Sequence, residues 1–347
     1  MIPPFSGTER RAETKPAMKI GFIGLGNMGC SLAQVIALNR HDVLGWEHDK
    51  KIVEEINTKH HNSRFLPGVS LHPRIAAAPH LSDVFKECNI IFVAIHTRFV
   101  RDTLAPAAAA VLPDTLFVVT AKGIDAKTGK TASQTISSLF PSNKQVIFSG
   151  PTIASEFAEG LPTVVQLAAE EKSTCLRVSR VVENNHFRTV FSEDMTGAEL
   201  GGILKNIYAL GLGIFDGAGI TGKNFVAAYL TFALGEMATI GLYFGAQKET
   251  FYCLAGCGDL LATSMSSKSH HYTAGKFISL GFSPDVIQKK MGVLPEGFTT
   301  LHTIMGIARK NNIQLPIAEE IEAIIDGKKA TRESLFAFFH RMTKHPD

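Results

Sequence analysis

The stretch Lys19–Gly29 reads K-I-G-F-I-G-L-G-N-M-G. A short apolar run leads through glycines into a helix predicted from about Asn27 to Asn39. The glycines match G-x-G-x-x-G in the strand–turn–helix context of a dinucleotide-binding loop. The first would make the tight turn, the second would let the backbone approach a pyrophosphate, and the third would let helix and strand pack closely. Free N–H groups at the helix N-terminus favour the anion. The predicted cofactor-binding residues of this loop are Gly24, Gly26, Asn27, Met28 and Gly29.

Glu47 closes a second predicted strand, His41 to Glu47, and lies 23 residues after Gly24. This is close to the spacing of about 20 residues at which an acidic side chain meets the ribose in a dinucleotide fold. A carboxylate there accepts hydrogen bonds from both ribose hydroxyls and repels a 2′-phosphate. We therefore predict NAD as the cofactor, with NADP as the less favoured alternative, and His48 would soften this preference. The other interpretation is a structural glycine turn with a surface glutamate.

Continuous apolar runs recur along the first half of the chain. Asn89 to Ile95, Thr115 to Thr120 and Gln145 to Ser149 are typical of strands buried on both faces. Helical segments such as Arg98 to Val111 separate them. Strands alternating with helices predict a parallel, doubly wound α/β sheet. Two further β-like runs are predicted to extend the same sheet: Pro162 to Leu167 and Phe187 to Phe191.

The pattern changes after Ser192. Helix-period segments replace the β-like runs, at Asn224 to Phe244, Thr300 to Asn311 and Ile317 to Ile325. We therefore predict two domains, a dinucleotide-binding Rossmann domain over 18–192 and an all-helical substrate-binding domain over 193–347. Residues 1–17 are polar and lack the apolar core of a secretory signal. They are predicted to be a disordered tail or an untranslated extension before Met18.

Composition excludes several classes of function. The 347 residues are 45% hydrophobic and 19% charged with a net charge of +3. No basic block interleaved with aromatic residues occurs, so nucleic acid is not an expected partner.

Five scattered cysteines favour a reducing, cytoplasmic location over a disulfide framework. Cys253 and Cys257 lack a second ligand pair at zinc spacing, so no metal site is expected. No apolar run reaches the ~20 residues of a membrane span, and Ile207 to Ile220 is predicted to be a buried helix.

Glu199–Asn206, E-L-G-G-I-L-K-N, places Lys205 and Asn206 side by side after two glycines. An ammonium group can give a proton to the oxygen of a ketone while hydride reaches its carbon, so Lys205 is the predicted proton donor of a carbonyl reductase. Lys122 follows the strand that ends at Thr120. Side chains at the carboxyl ends of parallel strands face the binding crevice, where a lysine suits an anionic substrate. The alternative is an ordinary surface lysine.

Asp259 and Thr263 lie four residues apart and would share one helix face. An aspartate near Lys205 and Lys122 would balance two ammonium groups, because neighbouring lysines lower each other's proton affinity and a carboxylate raises it. The alternative is that Asp259 only caps a helix. Ser149 to Ala154, S-G-P-T-I-A, can bring backbone groups near a nicotinamide, although such a segment is more often just a turn.

The motifs occur in an order that resembles the NAD(P)-dependent glycerol-3-phosphate dehydrogenase family, with the bacterial form as the nearer match. After G-x-G-x-x-G come N-x-R-F-L-P-G (Asn62 to Gly68), A-K-G, S-G-P-T-I-A-S-E, E-L-G-G-x-x-K-N, L-A-G-x-G-D-L-x-x-T and P-E-G-F-T-T. The resemblance spans nearly the whole chain after Met18. It implies a Rossmann domain, an all-helical substrate domain and assembly as a homodimer. It also implies reversible reduction of dihydroxyacetone phosphate to sn-glycerol 3-phosphate, which feeds phospholipid synthesis.

The resemblance implies roles for individual residues. Lys205 would protonate the substrate oxygen, Lys122 would bind and polarise the substrate, and Glu296 would lie near the cofactor. The substrate hydroxyl and the lysines would be oriented by Asn206, Asp259 and Thr263. The predicted catalytic residues are Lys205, Lys122 and Asp259. The predicted substrate-binding residues are Asn206, Thr263, Ser269, His270, His271 and Gly150. Beyond the glycine loop and Glu47, the predicted cofactor-binding residues are Lys122, Ala154 and Glu296.

Three positions depart from the family pattern. Where the family has Ser-Arg-Asn, whose arginine and asparagine grip the substrate phosphate, this chain has Ser269-His270-His271. A second family arginine is Ala233 here, and the usual A-V-P is Ala94-Ile95-His96. A charged hydrogen bond is worth roughly 1.5–3 kcal/mol, so losing one would weaken phosphate binding roughly ten- to a hundredfold. His270 could supply the charge below about pH 6.5, or Lys268 could. Alternatively, both histidines are surface residues at a helix start.

Three functions therefore stay open at the level of sequence. The first is an NAD-dependent glycerol-3-phosphate dehydrogenase with looser phosphate recognition. The second is a related dehydrogenase for another small hydroxy or keto substrate, phosphorylated or phosphonate-bearing, for which dihydroxyacetone phosphate is poor at every pH. The third is a dinucleotide-binding sensor with little or no turnover, against which the set of Lys122, Lys205 and Asp259 argues.

Overall fold

The computed structural model describes residues 17–342. Apart from Ala17, the predicted N-terminal tail lies outside these residues. Eight strands form one sheet in the order β3-β2-β1-β4-β5-β6-β7-β8. They are β1 (Lys19–Ile23), β2 (Asp42–Trp46), β3 (Ile75–Ala78), β4 (Ile90–Val93), β5 (Leu116–Val119), β6 (Gln145–Ser149), β7 (Thr163–Ala168) and β8 (Phe187–Ser192).

The centre of the sheet is formed by β1, β4 and β5, whose residues are almost all buried. Their apolar side chains pack into two cores, one on each face of the sheet, as expected for parallel strands covered on both sides. From β1 the chain moves outward to β3 and then returns to β4 on the other side of β1. The crevice beyond the carboxyl ends of β1 and β4 is therefore the topological switch point, where open α/β sheets bind ligands.

The doubly wound α/β class is confirmed, but the expectation of a wholly parallel sheet is wrong for one pair. β7 runs antiparallel to β6, and β8 then runs parallel to β7. A parallel connection needs a crossover of a dozen or more residues, usually with a helix that packs across the sheet. The connection from Ser149 to Thr163 contains a helix of only five residues, Ala154–Ala158. The chain therefore returns in the opposite direction.

The sequence pattern does not predict β3. Its four residues read I-A-A-A, and three alanines lack the β-branched and aromatic side chains that favour strands. Pairing with β2, in the register Val43 opposite Ile75, holds this edge strand in place.

Seven helices accompany the sheet. A 3₁₀ turn, Ala105–Ala110, follows the fourth of them, because Pro106 has no backbone N–H with which to continue a regular helix. The predicted helix Arg98 to Val111 is thus divided. The helices are α1 (Asn27–Leu38), α2 (Lys50–Lys59), α3 (Leu81–Glu87), α4 (Thr97–Leu104), α5 (Ala132–Leu139), α6 (Ala154–Ala158) and α7 (Lys172–Val182).

After β8, the described chain is helical. The elements are α8 (Met195–Gly217), α9 (Lys223–Tyr243), α10 (Asp259–Met265), α11 (His270–Ser279), α12 (Pro284–Met291), α13 (Glu296–Lys310), α14 (Pro316–Ile325) and α15 (Thr331–Met342), with a 3₁₀ turn at Lys248–Tyr252 and a π-helical turn at Leu254–Gly258. α8 is buried from Gly197 to Phe215 and forms the centre of the third core. The buried helix predicted over Ile207 to Ile220 corresponds to its second half.

Among residues 17–342, α9 alone is long and apolar enough to cross a membrane by length and composition. Half of its most apolar window is buried inside the protein, where side chains such as Tyr229 and Met237 enter the same core as α8. A core helix of a globular domain passes the same test, so this is weak support for a membrane span.

Candidate active site

The glycine loop between β1 and α1 has the geometry of a pyrophosphate cradle. Gly24 has φ +94°, a conformation that favours glycine, and its N–H donates to the carbonyl of Trp46 at 2.8 Å. A Cβ on Gly29 would overlap the carbonyl oxygen of Gly24, so the third glycine is required for close packing. A Cβ on Gly26 would meet nothing within 4 Å. The space beside Gly26, just before Asn27 and Met28 begin α1, is therefore not filled by other protein atoms.

Glu47 lies buried directly after β2 and is tied to this loop. Its Oε2 accepts a hydrogen bond from the N–H of Leu25 at 3.1 Å, and its Oε1 accepts one from the N–H of His48 at 2.9 Å. Nδ1 of His48 lies 2.5 Å from the same Oε1. These contacts fix the carboxylate next to the glycine loop.

A buried ion cluster joins the two halves of the chain. Lys122, just after β5, places Nζ 2.5 Å from Oδ2 of Asp259 at the start of α10. Lys205, in the middle of α8, places Nζ 3.2 Å from Oδ1 of the same carboxylate. Nζ of Lys205 also donates to Oγ1 of Thr263 at 2.6 Å, one turn after Asp259. One carboxylate is thus shared by two ammonium groups, as the sequence predicted.

Burial controls the charge of Lys205, which is 8% exposed. Loss of solvation disfavours the ammonium form and lowers its pKa to about 8; Asp259 opposes this shift and Lys122 adds to it. Since a proton donor works best with a pKa near the operating pH, this ammonium is suited to exchange a proton with a substrate oxygen.

Two glycines of E-L-G-G allow the cluster to form. A Cβ on Gly202 would lie 2.9 Å from Oγ of Ser149 and 3.3 Å from the Cδ and Cε atoms of Lys122. A Cβ on Gly201 would lie 2.5 Å from the carbonyl oxygen of Ala255. Both glycines therefore let α8 approach the end of the sheet and the π-helical turn, so that Lys205 reaches Asp259.

Lys122 is held by the S-G-P-T turn after β6. Its Nζ donates to Oγ1 of Thr152 at 3.2 Å and to the carbonyl of Gly150 at 3.4 Å. Gly150 has φ +113°, which favours glycine. Asn206 donates from Nδ2 to the carbonyl of Lys122 at 3.1 Å, while its Oδ1 is buried without a hydrogen-bond partner among the described residues. Its capacity to accept a hydrogen bond is therefore not used by any described residue.

The Ser269-His270-His271 segment begins α11. Oγ of Ser269 caps the helix by accepting from the N–H of Tyr272 at 3.3 Å. Nε2 of His271 accepts from the N–H of Gly297 at 3.1 Å. Part of the His270 ring is exposed, but desolvation by its surroundings and then the neighbouring His96 lower its pKa. The range in which His270 carries charge therefore lies further towards acid than its ordinary pKa implies.

Glu296, the first residue of α13, ties the strand ends to the helical half. Its Oε1 accepts from the N–H of Thr97 at 2.9 Å, and its Oε2 lies 3.5 Å from Nδ1 of His96. A Cβ on Gly123 would lie 2.5 Å from Oε1 of Glu296, which accounts for the glycine of A-K-G.

Ala154, the remaining predicted cofactor-binding residue, is buried at the start of α6, just after the S-G-P-T turn.

Ala233, a further departure, and Lys268, the alternative cation, lie in two different settings. Ala233 is fully buried in the core around α8. Lys268 reaches across from the helical half and donates from Nζ to Oγ of Ser155 on α6 at 3.0 Å. Among residues 17–342, the hydrogen-bond and ion-pair partners of the Lys122, Lys205 and Asp259 side chains include no arginine.

Two contacts of the candidate site were not assigned from sequence, one to Lys122 and one to Glu296. Thr152 lay inside a motif that the sequence marked as a turn, and only the fold brings its hydroxyl to Lys122. Thr97 contributes through its backbone N–H, which side-chain chemistry does not reveal.

Comparisons with known proteins agree with this architecture. Family profiles for the NAD-dependent glycerol-3-phosphate dehydrogenase N-terminus and C-terminus match residues 19–175 and 194–335. A glycerol-3-phosphate dehydrogenase (NAD(P)+) from Bacillus anthracis is 34% identical over 330 residues, which cover 94% of this chain and 97% of the relative.

Solved structures show the same fold. The crystal structure of glycerol-3-phosphate dehydrogenase from Coxiella burnetii has a TM-score of 0.88 at 26% identity, over 94% of this chain and 99% of that one. The enzyme from Saccharomyces cerevisiae has a TM-score of 0.79 at 24% identity, over 93% and 99%. Since both halves match and a relative above 30% identity spans nearly the whole chain, the protein belongs to the NAD-dependent glycerol-3-phosphate dehydrogenase family.

Proposed function

We propose that this protein catalyses the NAD-dependent, reversible reduction of dihydroxyacetone phosphate to sn-glycerol 3-phosphate and thereby supplies glycerophospholipid synthesis. The observation that carries the proposal is the buried ammonium of Lys205, 3.2 Å from Asp259, with a pKa lowered to about 8 by burial. Family membership supplies the substrate and the cofactor.

The bound nicotinamide cofactor supplies the hydride. Lys205 gives its proton to the ketone oxygen as negative charge develops there, and in the reverse direction it takes the proton from the alcohol. Asp259 keeps Lys205 protonated despite its burial. Lys122, held by Asp259, Thr152 and the carbonyl of Gly150, adds positive charge next to the same oxygen.

Substrate orientation is assigned to groups around the lysines. The free Oδ1 of Asn206 accepts a hydrogen bond from a substrate hydroxyl. Thr263 fixes the direction of the Lys205 ammonium. Ser269 caps the N-terminus of α11 and thereby positions the start of this helix, with His270 and His271, at the substrate.

The cofactor preference is assigned to Glu47. A buried carboxylate held by the glycine loop favours the two ribose hydroxyls of NAD and repels the 2′-phosphate of NADP. Ala154 and Glu296 belong to the walls of the same crevice. We further propose that the chain acts as a cytoplasmic homodimer and that its domains meet near residue 193, between β8 and α8.

A second candidate is favoured by two observations. No guanidinium forms a hydrogen bond or ion pair with the ion cluster within residues 17–342, and Ser269-His270-His271 stands where the family has Ser-Arg-Asn. This candidate is a related dehydrogenase for another small hydroxy or keto substrate, with a phosphonate or a differently placed phosphate. Such an enzyme would keep Lys205 and differ at the Ser269-His270-His271 segment.

Steady-state oxidation of NADH with dihydroxyacetone phosphate, run beside NADPH at pH 6 and pH 8, tests the proposal. We expect turnover with both cofactors and a higher kcat/KM for NADH. If fluorescence titration shows NADH binding while dihydroxyacetone phosphate gives no turnover at either pH, the proposal is wrong and the second candidate takes its place.

A further inference from the structure

Glu199 carries a buried carboxylate that the proposed mechanism does not use. Its side chain lies on α8 and faces the first turn of α5, and the residue is 7% exposed. Oε1 accepts a hydrogen bond from the N–H of Ser133 at 3.0 Å. Oε2 accepts from the hydroxyls of Thr131 at 2.8 Å and Ser133 at 2.5 Å. Three donors at a helix N-terminus offset the cost of burying this group, so Glu199 attaches the helical half of the chain to the sheet half.

The turn that receives this carboxylate is paired with the segment that carries Lys122. Thr131 forms an antiparallel bridge with Ile124, which lies two residues after Lys122. Within the same loop, the N–H of Asp125 donates to the carbonyl of Lys130 at 2.9 Å. Because the two ends of the loop are joined by backbone contacts, a displacement at Thr131 is transmitted to Lys122.

One face of α8 lies along this segment. Glu199, Gly202 and Asn206 are three and then four residues apart, a spacing that places their side chains on the same side of a helix. A Cβ on Gly202 would lie 3.3 Å from the side chain of Lys122. Asn206 donates from Nδ2 to the carbonyl of Lys122 at 3.1 Å. Glu199 and Asn206 thus attach α8 at two points, and Lys205 lies next to the second of them.

We propose that Glu199 is a positioning residue for the proton transfer: by attaching α8 to the start of α5, it holds the two lysines of the ion cluster where both reach Asp259. This inference rests on the proposed function for the reaction that Lys205 serves. The hydrogen-bond partners of the Glu199 carboxylate all lie at the start of α5. Glu199 therefore acts through the position of α8.

The pKa of Lys205 gives a readout that a loss of stability alone would not change. Three charged or titratable groups face its side chain: Asp259, Lys122 and His271. Burial is the largest cause of the lowered pKa, and Asp259 opposes it, whereas Glu199 does not act on this pKa directly. If α8 moves away, Asp259 raises the pKa less and the pKa falls. A lower pKa of Lys205 in a Glu199 variant would therefore report a change in geometry.

The test compares Glu199→Ala with Glu199→Gln, which keeps the length of the side chain and an acceptor oxygen. In Glu199→Ala, kcat for dihydroxyacetone phosphate at pH 8 should fall about tenfold, and the alkaline limb of the pH profile should move about one pH unit towards acid, because less of Lys205 is protonated. In Glu199→Gln, kcat should stay within about threefold of wild type, since hydrogen bonds to α5 remain possible. The affinity for NADH should be unchanged in both. Glu193→Ala, an exposed glutamate just before α8, is the matched control and should change nothing.

An unshifted alkaline limb in Glu199→Ala would overturn the proposal. Equal losses in the Ala and Gln variants would also overturn it, because the charge of Glu199 rather than its attachment to α5 would then matter. If Glu199→Ala does not fold, the double variant Thr131→Val/Ser133→Ala tests the same contact from the other side. It removes both hydroxyl donors and leaves α8 unaltered. The limb should move in the same direction but less far, since the N–H of Ser133 remains; no movement contradicts the proposal.

A further measurement does not depend on turnover. In protein labelled with ¹⁵N at the lysine Nζ atoms, the Lys205 resonance is assigned by its absence in Lys205→Ala. It should titrate with a pKa of about 8 in wild type and with a lower pKa in Glu199→Ala. The same pKa in both proteins contradicts the proposal. If wild type fails to reduce dihydroxyacetone phosphate, the proposed function falls, while this titration still decides the role of Glu199.

Discussion

The two ends of the candidate active site differ in the charge that their side chains carry. At the reacting end, Lys122, Lys205 and Asp259 form a buried ion cluster with N–O distances of 2.5 and 3.2 Å. At the N-terminus of α11, His270 and His271 have lowered pKa values and are neutral at pH 7. Formal charge is therefore concentrated in the ion cluster, whereas both imidazoles at the start of α11 are neutral. The contrast shows that two parts of one site, built from different helices, differ in how much charge they carry.

The largest effect should come from the proton donor. Lys205→Ala removes the ammonium group from the reacting end and should lower kcat at least about a hundredfold, within the 10²–10⁴ range of general acid–base catalysis. The affinity for NADH, measured by fluorescence titration, should barely change, because Lys205 belongs to the substrate side. A near-normal rate in this variant would remove Lys205 from the proposed mechanism.

Removal of the shared carboxylate comes next. Asp259 raises the pKa of Lys205 against the effect of burial, so Asp259→Asn should lower that pKa below about 8. Ketone reduction needs the protonated amine, and its rate should therefore decline at a lower pH than in wild type. We expect kcat at pH 8 to fall by about tenfold or more and the alkaline limb of the pH profile to move towards acid. An unshifted limb would show that Lys205 does not set it.

A change at the α11 end should be smaller and of opposite sign. His270→Arg adds the permanent charge found in the family pattern and should lower the KM for dihydroxyacetone phosphate about tenfold at pH 7, with kcat nearly unchanged. In wild type, KM should increase as the pH is raised within the range below about 6.5. The pKa of His270 is lowered, so the side chain loses its positive charge in that range. In the variant this dependence should disappear; its persistence would assign the titration to another group, such as His96.

The smallest effect is expected outside both ends. Glu47→Ser removes the carboxylate beside the glycine loop and should narrow the difference between NADH and NADPH in kcat/KM, while the KM for dihydroxyacetone phosphate stays constant. The two cofactors are compared under saturating substrate. An unchanged preference would mean that Glu47 supports the loop through Leu25 without touching the ribose.

Local signals predicted most of the fold. Buried strands such as β4 and β5 are continuous apolar runs, and G-x-G-x-x-G occupies the turn between β1 and α1. Two features escaped these signals. β3 is mostly alanine, and it is held as a strand by pairing with the neighbouring strand β2. The direction of β7 depends on the short connection that contains α6. A pattern of alternating strands and helices does not take the length of that connection into account.

The candidate site also has features that the sequence predicts and features that it does not. Residue type and motif order alone indicated a dinucleotide loop, an acidic residue at the end of β2 and a lysine pair with an aspartate, because each needs only a side-chain chemistry at a fixed spacing. The family membership that these motifs implied is confirmed. The roles assigned to individual residues stay predictions.

What only the tertiary structure decided is the state of those groups. Lys205 has a pKa of about 8 because α8 is buried and Asp259 arrives from a different helix. His271 has a fixed tautomer because the amide of Gly297, 26 residues further along the chain, meets Nε2. Sequence determines which donors and acceptors a chain possesses. Solvation, charge and tautomer depend on which of them the fold places within about 3 Å of one another, and these contacts join residues that are distant in sequence.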